Sequence, residues 1–157
     1  MLESDRTFPI EADPGAVWSS LCRPERYQVV WPWLKAFDGE ALAEGERWTC
    51  AVQPPLPYVV RFGLSLHTVV EGERVEADVD GDIRGWARLT VAPAPHGTDL
   101  RLASALEPAT LLLRGVLRAA PPVARFGHDW VLDTGADQFR SRACPGPEPG
   151  ERSTRDG

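Results

Sequence analysis

The sequence predicts an α+β domain in which a curved antiparallel sheet packs against a long C-terminal helix. Apolar residues alternate with period two through the middle of the chain, which is typical of half-buried strands. Short turn-like segments such as "EGER" and "PAPHGTD" separate these runs, which favours hairpins. After Leu111 the apolar period changes to 3.6 and continues to about Arg142. A chain of 157 residues can bury one substantial core, so we expect a single domain over residues 1–142.

The N-terminal segment predicts one strand followed by two short helices. Phe8 and Ile10 alternate in "RTFPIEA". Asp13 followed by Pro14 is typical of a helix start, because aspartate caps the free amides and proline fits the first turn. Pro24 allows a second helical turn before the chain returns to strands. The predicted order is therefore strand, helix, helix, strand.

The longest predicted strand is "YVVRFGLSLHTVV", residues 58–70. One face carries the apolar and aromatic side chains Tyr58, Val60, Phe62, Leu64, Leu66 and Val70. Thirteen extended residues would span about 43 Å, so the sheet has to curve and twist. The flanking strands show the same alternation, with the inward residues Trp48, Cys50, Val52, Val75, Ala77, Val79, Ile83, Ala87, Leu89, Val91, Leu100, Leu102 and Leu106.

Two prolines and a polar tail delimit the C-terminal helices. Pro121 and Pro122 should break the helical run, because proline lacks the amide that a helix interior needs. The segment after them, about 20 residues, would be about 30 Å long and could cross the concave face of the sheet. Residues 143–157 show no apolar periodicity, and we expect a disordered tail.

Composition excludes several classes of function. A net charge of −6 argues against a general nucleic-acid binder, which needs a basic face. Three cysteines without CxxC spacing indicate neither a disulfide framework nor a zinc site, and we expect no metal and no cofactor. The acidic run Glu76, Asp78, Asp80 and Asp82 points outward by parity, as a solvated face does. No leader-like or membrane-spanning stretch is found, so we expect a cytoplasmic protein.

The order of these elements is that of the helix-grip fold. The sequence resembles the START and birch-pollen-allergen-like (SRPBCC) superfamily, in particular bacterial polyketide cyclase/dehydrase and lipid-transport-like proteins. The stretches that carry the likeness are "DPGAVWSSL", "RYQVVWPWLKAFD", "GDIRGWARL" and "HDW", and it covers residues 5–142. The resemblance implies a deep apolar cavity between the long helix and the sheet.

A cavity of this kind would be mostly apolar with a few polar groups that orient a ligand. The predicted ligand-binding residues are Trp33, Tyr58, Val60, Phe62, Leu64, Leu66, Leu89, Leu102, Ser104, His128 and Leu132, and Thr68 is a further polar side chain that parity places inward. His128 shares a helical stripe with Leu132, Gly135, Ala136 and Phe139, so it should face the sheet. Asp129 is rotated by about 100°, so a hydrogen-bonded pair is not expected.

Three kinds of function remain open at this stage. The first is binding of a hydrophobic small molecule, such as a lipid, a quinone or a polyketide-like compound. The second is a polyketide cyclase or aromatase in which His128 or Tyr58 moves protons, since His67 points outward and His96 lies in a turn. The third is a protein-interaction or regulatory module with a vestigial cavity. No nucleophile elbow, phosphate-binding loop or HExxH motif is present in the sequence.

Overall fold

The computed structural model of the protein describes residues 2–56 and 58–143. The strands are β1 Leu2–Ile10, β2 Leu34–Asp38, β3 Arg47–Val52, β4 Val60–Val70, β5 Arg74–Gly81, β6 Ile83–Ala94 and β7 Gly97–Pro108. The helices are α1 Pro14–Leu21, α2 Tyr27–Val30, α3 Leu111–Ala119 and α4 Pro121–Gln138, with a 3-10 turn at Pro24–Arg26 and a π-helical turn at Phe139–Ala143. Of the tail predicted over residues 143–157, only residue 143 is described, and it ends the last turn.

The strands form one antiparallel sheet in the order β1-β7-β6-β5-β4-β3-β2. Neighbours in the chain are therefore neighbours in the sheet, except that β1 pairs with β7. The concave face of the sheet and α4 enclose a cavity between them. This is the helix-grip architecture, and the predicted fold class is confirmed.

The start of α1 and the break before α4 arise from the capping aspartate and the prolines that predict them. The Asp13 carboxylate accepts a hydrogen bond from the Ala16 amide at 3.3 Å, with proline in the first turn of α1. The helical run after Leu111 breaks at Ala120, whose φ of −143° and ψ of 66° are not helical. Pro121 then begins α4, where its missing amide costs nothing. The break separates a short helix from the long one.

The parity of β4 changes at a bulge, which corrects two predictions. Leu66 pairs with Ala77, but the next pair is Thr68 with Glu76, so β4 carries one extra residue. Val69, rather than Val70, then lies opposite Val75 and packs against the core. The predicted inward positions of Thr68 and Val70 are therefore wrong. The strand also begins at Val60, two residues later than predicted.

Gly85 lets β6 and β7 approach closely. Its φ is +150°, and a Cβ there would lie 1.8 Å from the Ala105 carbonyl oxygen. Only glycine tolerates that approach. Any other residue would push the two strands apart at this point.

The acidic run Glu76, Asp78, Asp80 and Asp82, which begins in β5 and ends just after it, lies off the cavity wall on the convex face, as predicted. Asp80 forms an ion pair with Arg47 at 2.7 Å, and the carboxylate of Asp82 accepts a hydrogen bond from the backbone amide of Arg61 at 2.8 Å. Glu76 lies 3.4 Å from Arg74. These contacts are exposed and contribute little to stability, since solvent screens such pairs.

Candidate functional site: an apolar cavity

A cavity of about 480 Å³ lies between the concave face of the sheet and α4. This volume is in the range of sites that hold small organic molecules. Inward residues of the strands form one wall, and the opposite wall runs from Ala124 of α4 to Phe139, the first residue of the π-helical turn. Helix α3 closes one end with Leu113, Val116 and Leu117. The lining is almost entirely aliphatic and aromatic.

All eleven residues predicted as ligand contacts lie on the wall of this cavity, namely Trp33, Tyr58, Val60, Phe62, Leu64, Leu66, Leu89, Leu102, Ser104, His128 and Leu132. Strand parity and the helical stripe predict that most of these side chains face one site. The structure places all of them around the same cavity.

The sequence does not predict that α3 forms part of the cavity wall. The sequence indicates a helix there, and the high amphipathicity of "LLLRGVLRA" indicates one apolar face. What that face covers depends on the break at Ala120, whose angle no local pattern specifies. Tyr27, which lines the opposite end of the cavity, was also missed. It is the only residue of α2 on the wall within the described residues, so no periodic signal marks it.

The segment from Trp31 to Trp33 is hydrogen-bonded to α4 through both of its indole N–H groups. The Trp31 N–H donates to the Gly135 carbonyl at 2.9 Å, and the Trp33 N–H donates to the Gln138 side-chain oxygen at 2.8 Å. Trp31 also stacks on Phe139, with ring centroids 6.2 Å apart. By sequence alone, Trp31 and Trp33 on either side of Pro32 could form a lid over the cavity or anchor a loop to the core, and these contacts support the anchor.

Gly135 allows this segment to approach α4. A Cβ at Gly135 would lie 3.2 Å from Cζ2 of Trp33, which is tighter than ordinary contact. Because Gly135 shares a helical stripe with Leu132 and Phe139, the sequence predicts that its missing side chain allows the helix to approach the sheet closely. The partner is instead the tryptophan segment that precedes β2.

Two titratable groups at the Tyr27 end of the cavity are protonated at neutral pH and do not act as nucleophiles or bases. The Tyr27 hydroxyl donates to the Leu21 carbonyl, and burial raises the pKa of Tyr27. Burial also raises the pKa of the Cys50 thiol to about 12, so it is not a thiolate at neutral pH. Neither group is a candidate nucleophile or base.

Three polar side chains on the wall have unused hydrogen-bonding capacity. Within the described residues, the Ser104 hydroxyl and the Tyr58 hydroxyl have no hydrogen-bond partner. Ser104 is only 6 % exposed, so its hydroxyl is largely withdrawn from bulk solvent. Burial also raises the pKa of Tyr58, which keeps its phenol protonated. The third group is the imidazole of His128.

His128 and Asp129 approach each other more closely than predicted. Nδ1 of His128 lies 3.5 Å from Oδ1 of Asp129, which is the outer limit of a hydrogen bond. Their Cβ vectors diverge along the helix, but χ1 rotations can still bring adjacent side chains together. The expectation that the two side chains stay apart is therefore wrong, although the contact is long. Asp129 also lies 3.9 Å from the Arg6 guanidinium.

His128 is neutral at pH 7. Desolvation by burial lowers its pKa most, and the Arg125 and Arg6 charges lower it further, against an opposing effect of Asp129. With Nδ1–H directed toward Asp129, Nε2 carries a free lone pair. Nε2 has no hydrogen-bond partner within residues 2–56 and 58–143. The imidazole can therefore accept a hydrogen bond or a proton.

None of the helices in the described part of the chain has both the length and the apolar character needed to cross a membrane. His67 and His96, the remaining histidines, lie off the cavity wall. His67 contacts Thr68 at 2.9 Å on the convex face, and His96 contacts Asp99 at 2.8 Å.

The fold and the cavity define a helix-grip protein with an internal apolar site. No protein-family model matches the chain, and no curated protein matches it. Solved structures do match. The NMR structure of the KanY protein has a TM-score of 0.69 at 17 % identity, and the match covers 90 % of this chain and 97 % of that one.

Two further structures share the fold over nearly the whole chain. Protein CV1439 from Chromobacterium violaceum has a TM-score of 0.65 at 18 % identity, covering 93 % of this chain and 100 % of that one. The AHSA1-like protein from Aeromonas hydrophila has a TM-score of 0.63 at 15 % identity, covering 94 % and 98 %. At these identities the likeness shows the fold alone, since one fold hosts many functions.

Proposed function

We propose that this protein binds a hydrophobic small molecule in the cavity between the sheet and α4. The observation that carries the proposal is an unfilled volume of about 480 Å³ whose lining is almost entirely apolar. Protein interiors are normally close-packed, so a void of this size is costly unless something occupies it. A vestigial cavity would be expected to have filled with side chains. This volume therefore favours a binder over an interaction module that has lost its site.

The polar groups narrow the class of ligand. Tyr58 and Ser104 can each donate or accept a hydrogen bond, and neutral His128 can accept one at Nε2. A ligand that satisfies them has a large apolar body with one or a few oxygens, as a lipid, a quinone or a polyketide-like compound does. On this proposal residues 1–142 are a ligand-binding domain of the START-like (SRPBCC) superfamily that acts in the cytoplasm without a cofactor.

Displacement of an apolar fluorescent probe tests this function. Fatty acids of increasing chain length should compete for the cavity, each added methylene strengthening binding by about 0.8 kcal/mol, or about fourfold, until the cavity is full. Polycyclic quinones should compete as well. Competition that does not depend on chain length would contradict the proposal.

A pair of tryptophan variants provides the matched control. Ala87 lines the cavity, so Ala87→Trp should fill part of it and shorten the longest chain that binds. Arg84 lies on the same strand, exposed on the convex face. Arg84→Trp adds the same indole outside the cavity and should leave the chain-length limit unchanged.

A second candidate function is cyclisation of a poly-β-ketone. The observation in its favour is His128, a largely buried neutral imidazole with one nitrogen near Asp129 and the other without a partner among the described residues, which is the arrangement a general base needs. His128→Gln keeps the polarity and most of the size. A cyclase should then bind as before but lose about 100-fold or more in rate, whereas a carrier should lose little.

His128→Leu completes the comparison by removing the hydrogen bond as well. It should weaken binding only of ligands that place a polar group at this position. If wild type, His128→Gln and His128→Leu bind and react alike, His128 has a packing role only.

A further inference from the structure

The surface formed by α3 and the first turns of α4 combines exposed apolar side chains with positive charge. Leu111 is 86 % exposed, Leu112 65 % and Phe126 52 %. Residues 108–128 contain three arginines and no acidic residue, although the chain as a whole carries a net charge of −6. We call this surface the α3 patch, formed by Leu111, Leu112, Arg114, Arg118, Val123, Arg125 and Phe126.

The positive charge of the α3 patch is not neutralised by carboxylates of residues 2–56 and 58–143. Within the described residues, none of its three arginines forms an ion pair with a carboxylate. Arg114 donates to the Pro108 carbonyl at 3.3 Å and Arg125 to the Glu3 carbonyl at 3.4 Å, and neutral acceptors leave the net charge in place. Two carboxylates next to this region in sequence have their own arginines. Glu107 lies 3.8 Å from Arg84, and Asp129 lies near Arg6.

The face of α3 opposite Leu111 lines the cavity. Leu113, Val116 and Leu117 are on its wall, yet no residue of α3 is buried. The helix rests on α4 and on the end of β7. It is therefore a thin, lightly packed partition, with the cavity on one side and the α3 patch on the other.

We propose that the α3 patch docks on an anionic bilayer surface, and that the cavity exchanges its ligand with the bilayer at this end. The cargo part of this inference rests on the proposed function. Exposed leucines and a phenylalanine insert among acyl chains, while arginines can extend to lipid phosphates. A nucleic acid would match the arginines but not Leu111. An apolar protein partner would match the leucines but would gain nothing from three uncompensated charges.

Cosedimentation with vesicles tests the docking. The intact protein should bind vesicles of phosphatidylcholine with about 30 % phosphatidylglycerol, bind pure phosphatidylcholine far more weakly, and be released by salt. Arg114→Gln with Arg118→Gln should weaken binding to the anionic vesicles by roughly 25-fold, since each arginine near such a surface contributes about fivefold. Leu111→Ser should weaken it by about tenfold through lost burial.

Matched controls lie elsewhere on the surface. Arg23 and Arg61 are exposed and, within the described residues, form no ion pair, so Arg23→Gln with Arg61→Gln removes the same charge outside the α3 patch. Val29 is 64 % exposed on α2, and Val29→Ser is the apolar control. Both controls should keep vesicle binding within about twofold of wild type.

The outcomes separate docking from ligand binding. Probe binding in solution should be the same in all of these variants, which shows that fold and cavity are intact. If the patch variants bind vesicles as well as wild type, or if wild type ignores phosphatidylglycerol, the docking proposal is overturned while the proposed function stands. If vesicles bind but no apolar probe enters the cavity, docking survives and the proposed function fails. Concentration-dependent dimerisation that Leu111→Ser abolishes would make the patch a contact between copies and also overturn docking.

Discussion

The two ends of the cavity are built differently. At one end Tyr27, Trp31 and Trp48 pack with neighbouring aromatic rings, and Trp48 is only 7 % exposed. Their polar atoms are used within the fold, as when the Trp48 indole donates to the Ala41 carbonyl at 3.0 Å. At the other end α3 has no buried residue, and the Tyr58 hydroxyl, which has no partner in the described part of the chain, lies on the wall.

This difference separates stability from function within one cavity. The aromatic end contains most of the buried core, including Ile10, Val17 and Leu100, so changes there should act on folding. Tyr58 and His128 lie toward the α3 end, where they are free to bind something else. Polar groups whose hydrogen bonds are made within the protein stabilise the fold, whereas polar groups without such partners are available to bind a ligand.

The largest effect is expected from truncating one aromatic anchor. Trp48→Ala removes a nearly buried indole and should lower the free energy of unfolding by about 3–5 kcal/mol. Leu117→Ala at the α3 end should cost about 1 kcal/mol or less, because its side chain is already partly exposed. Urea denaturation of both variants measures the contrast. Equal losses would show that the two ends contribute alike to the fold.

A pair of glycines within the C-terminal helices sharpens the same contrast. Gly135→Leu should lower the free energy of unfolding by about 1–3 kcal/mol, because Trp33 already stands at the contact limit. A Cβ at Gly115 in α3 meets nothing within 4 Å. Gly115→Leu should therefore leave stability unchanged or raise it by up to about 1 kcal/mol through helix propensity. Thermal melts that rank the two variants in the reverse order would refute the assignment of the tight end.

Much of the site could be predicted from the sequence because both of its walls are regular. Phe62 and Leu64 follow from strand parity, and His128 and Leu132 follow from the helical period. A pattern of period 2 or 3.6 states which side chains share a face, and closure of the sheet over the helix then brings the faces together.

The features of the fold and the site that could not be predicted lie where the strand or helix periodicity is interrupted. The bulge after Leu66 reverses the parity of β4, and nothing in "LSLHTVV" marks the extra residue. The position of α3 depends on one backbone turn at Ala120. The tryptophan segment was readable as lid or anchor, because its hydrogen bonds to Gly135 and Gln138 join residues about 100 positions apart.

A smaller effect is expected where α4 meets Tyr58. A Cβ at Gly127 would lie 2.8 Å from the Tyr58 hydroxyl, so Gly127→Ala has to displace it. The clash should cancel the gain of about 1 kcal/mol that alanine normally brings to a helix. In a Tyr58→Phe background the hydroxyl contact is absent and only the side-chain end of Leu56, 3.2 Å from the Cβ position, has to shift, so the same change should stabilise by up to about that amount. A double-mutant cycle of melting temperatures measures the coupling. Additive effects would mean that the tyrosine does not lie over Gly127.

The smallest effect is the pH dependence contributed by His128. Its pKa is lower in the folded protein than the usual value of about 6.5, so the unfolded chain binds the proton more readily. The stabilising effect of the neutral imidazole is complete above pH 6.5 and is lost as the pH falls from there toward the folded pKa. His67 and His96 are present in both wild type and His128→Gln, so the comparison isolates the contribution of His128. Between pH 7 and pH 5 the melting temperature of wild type should fall more than that of the variant. Parallel curves would show that His128 is solvated at the α3 end and not desolvated by the cavity wall.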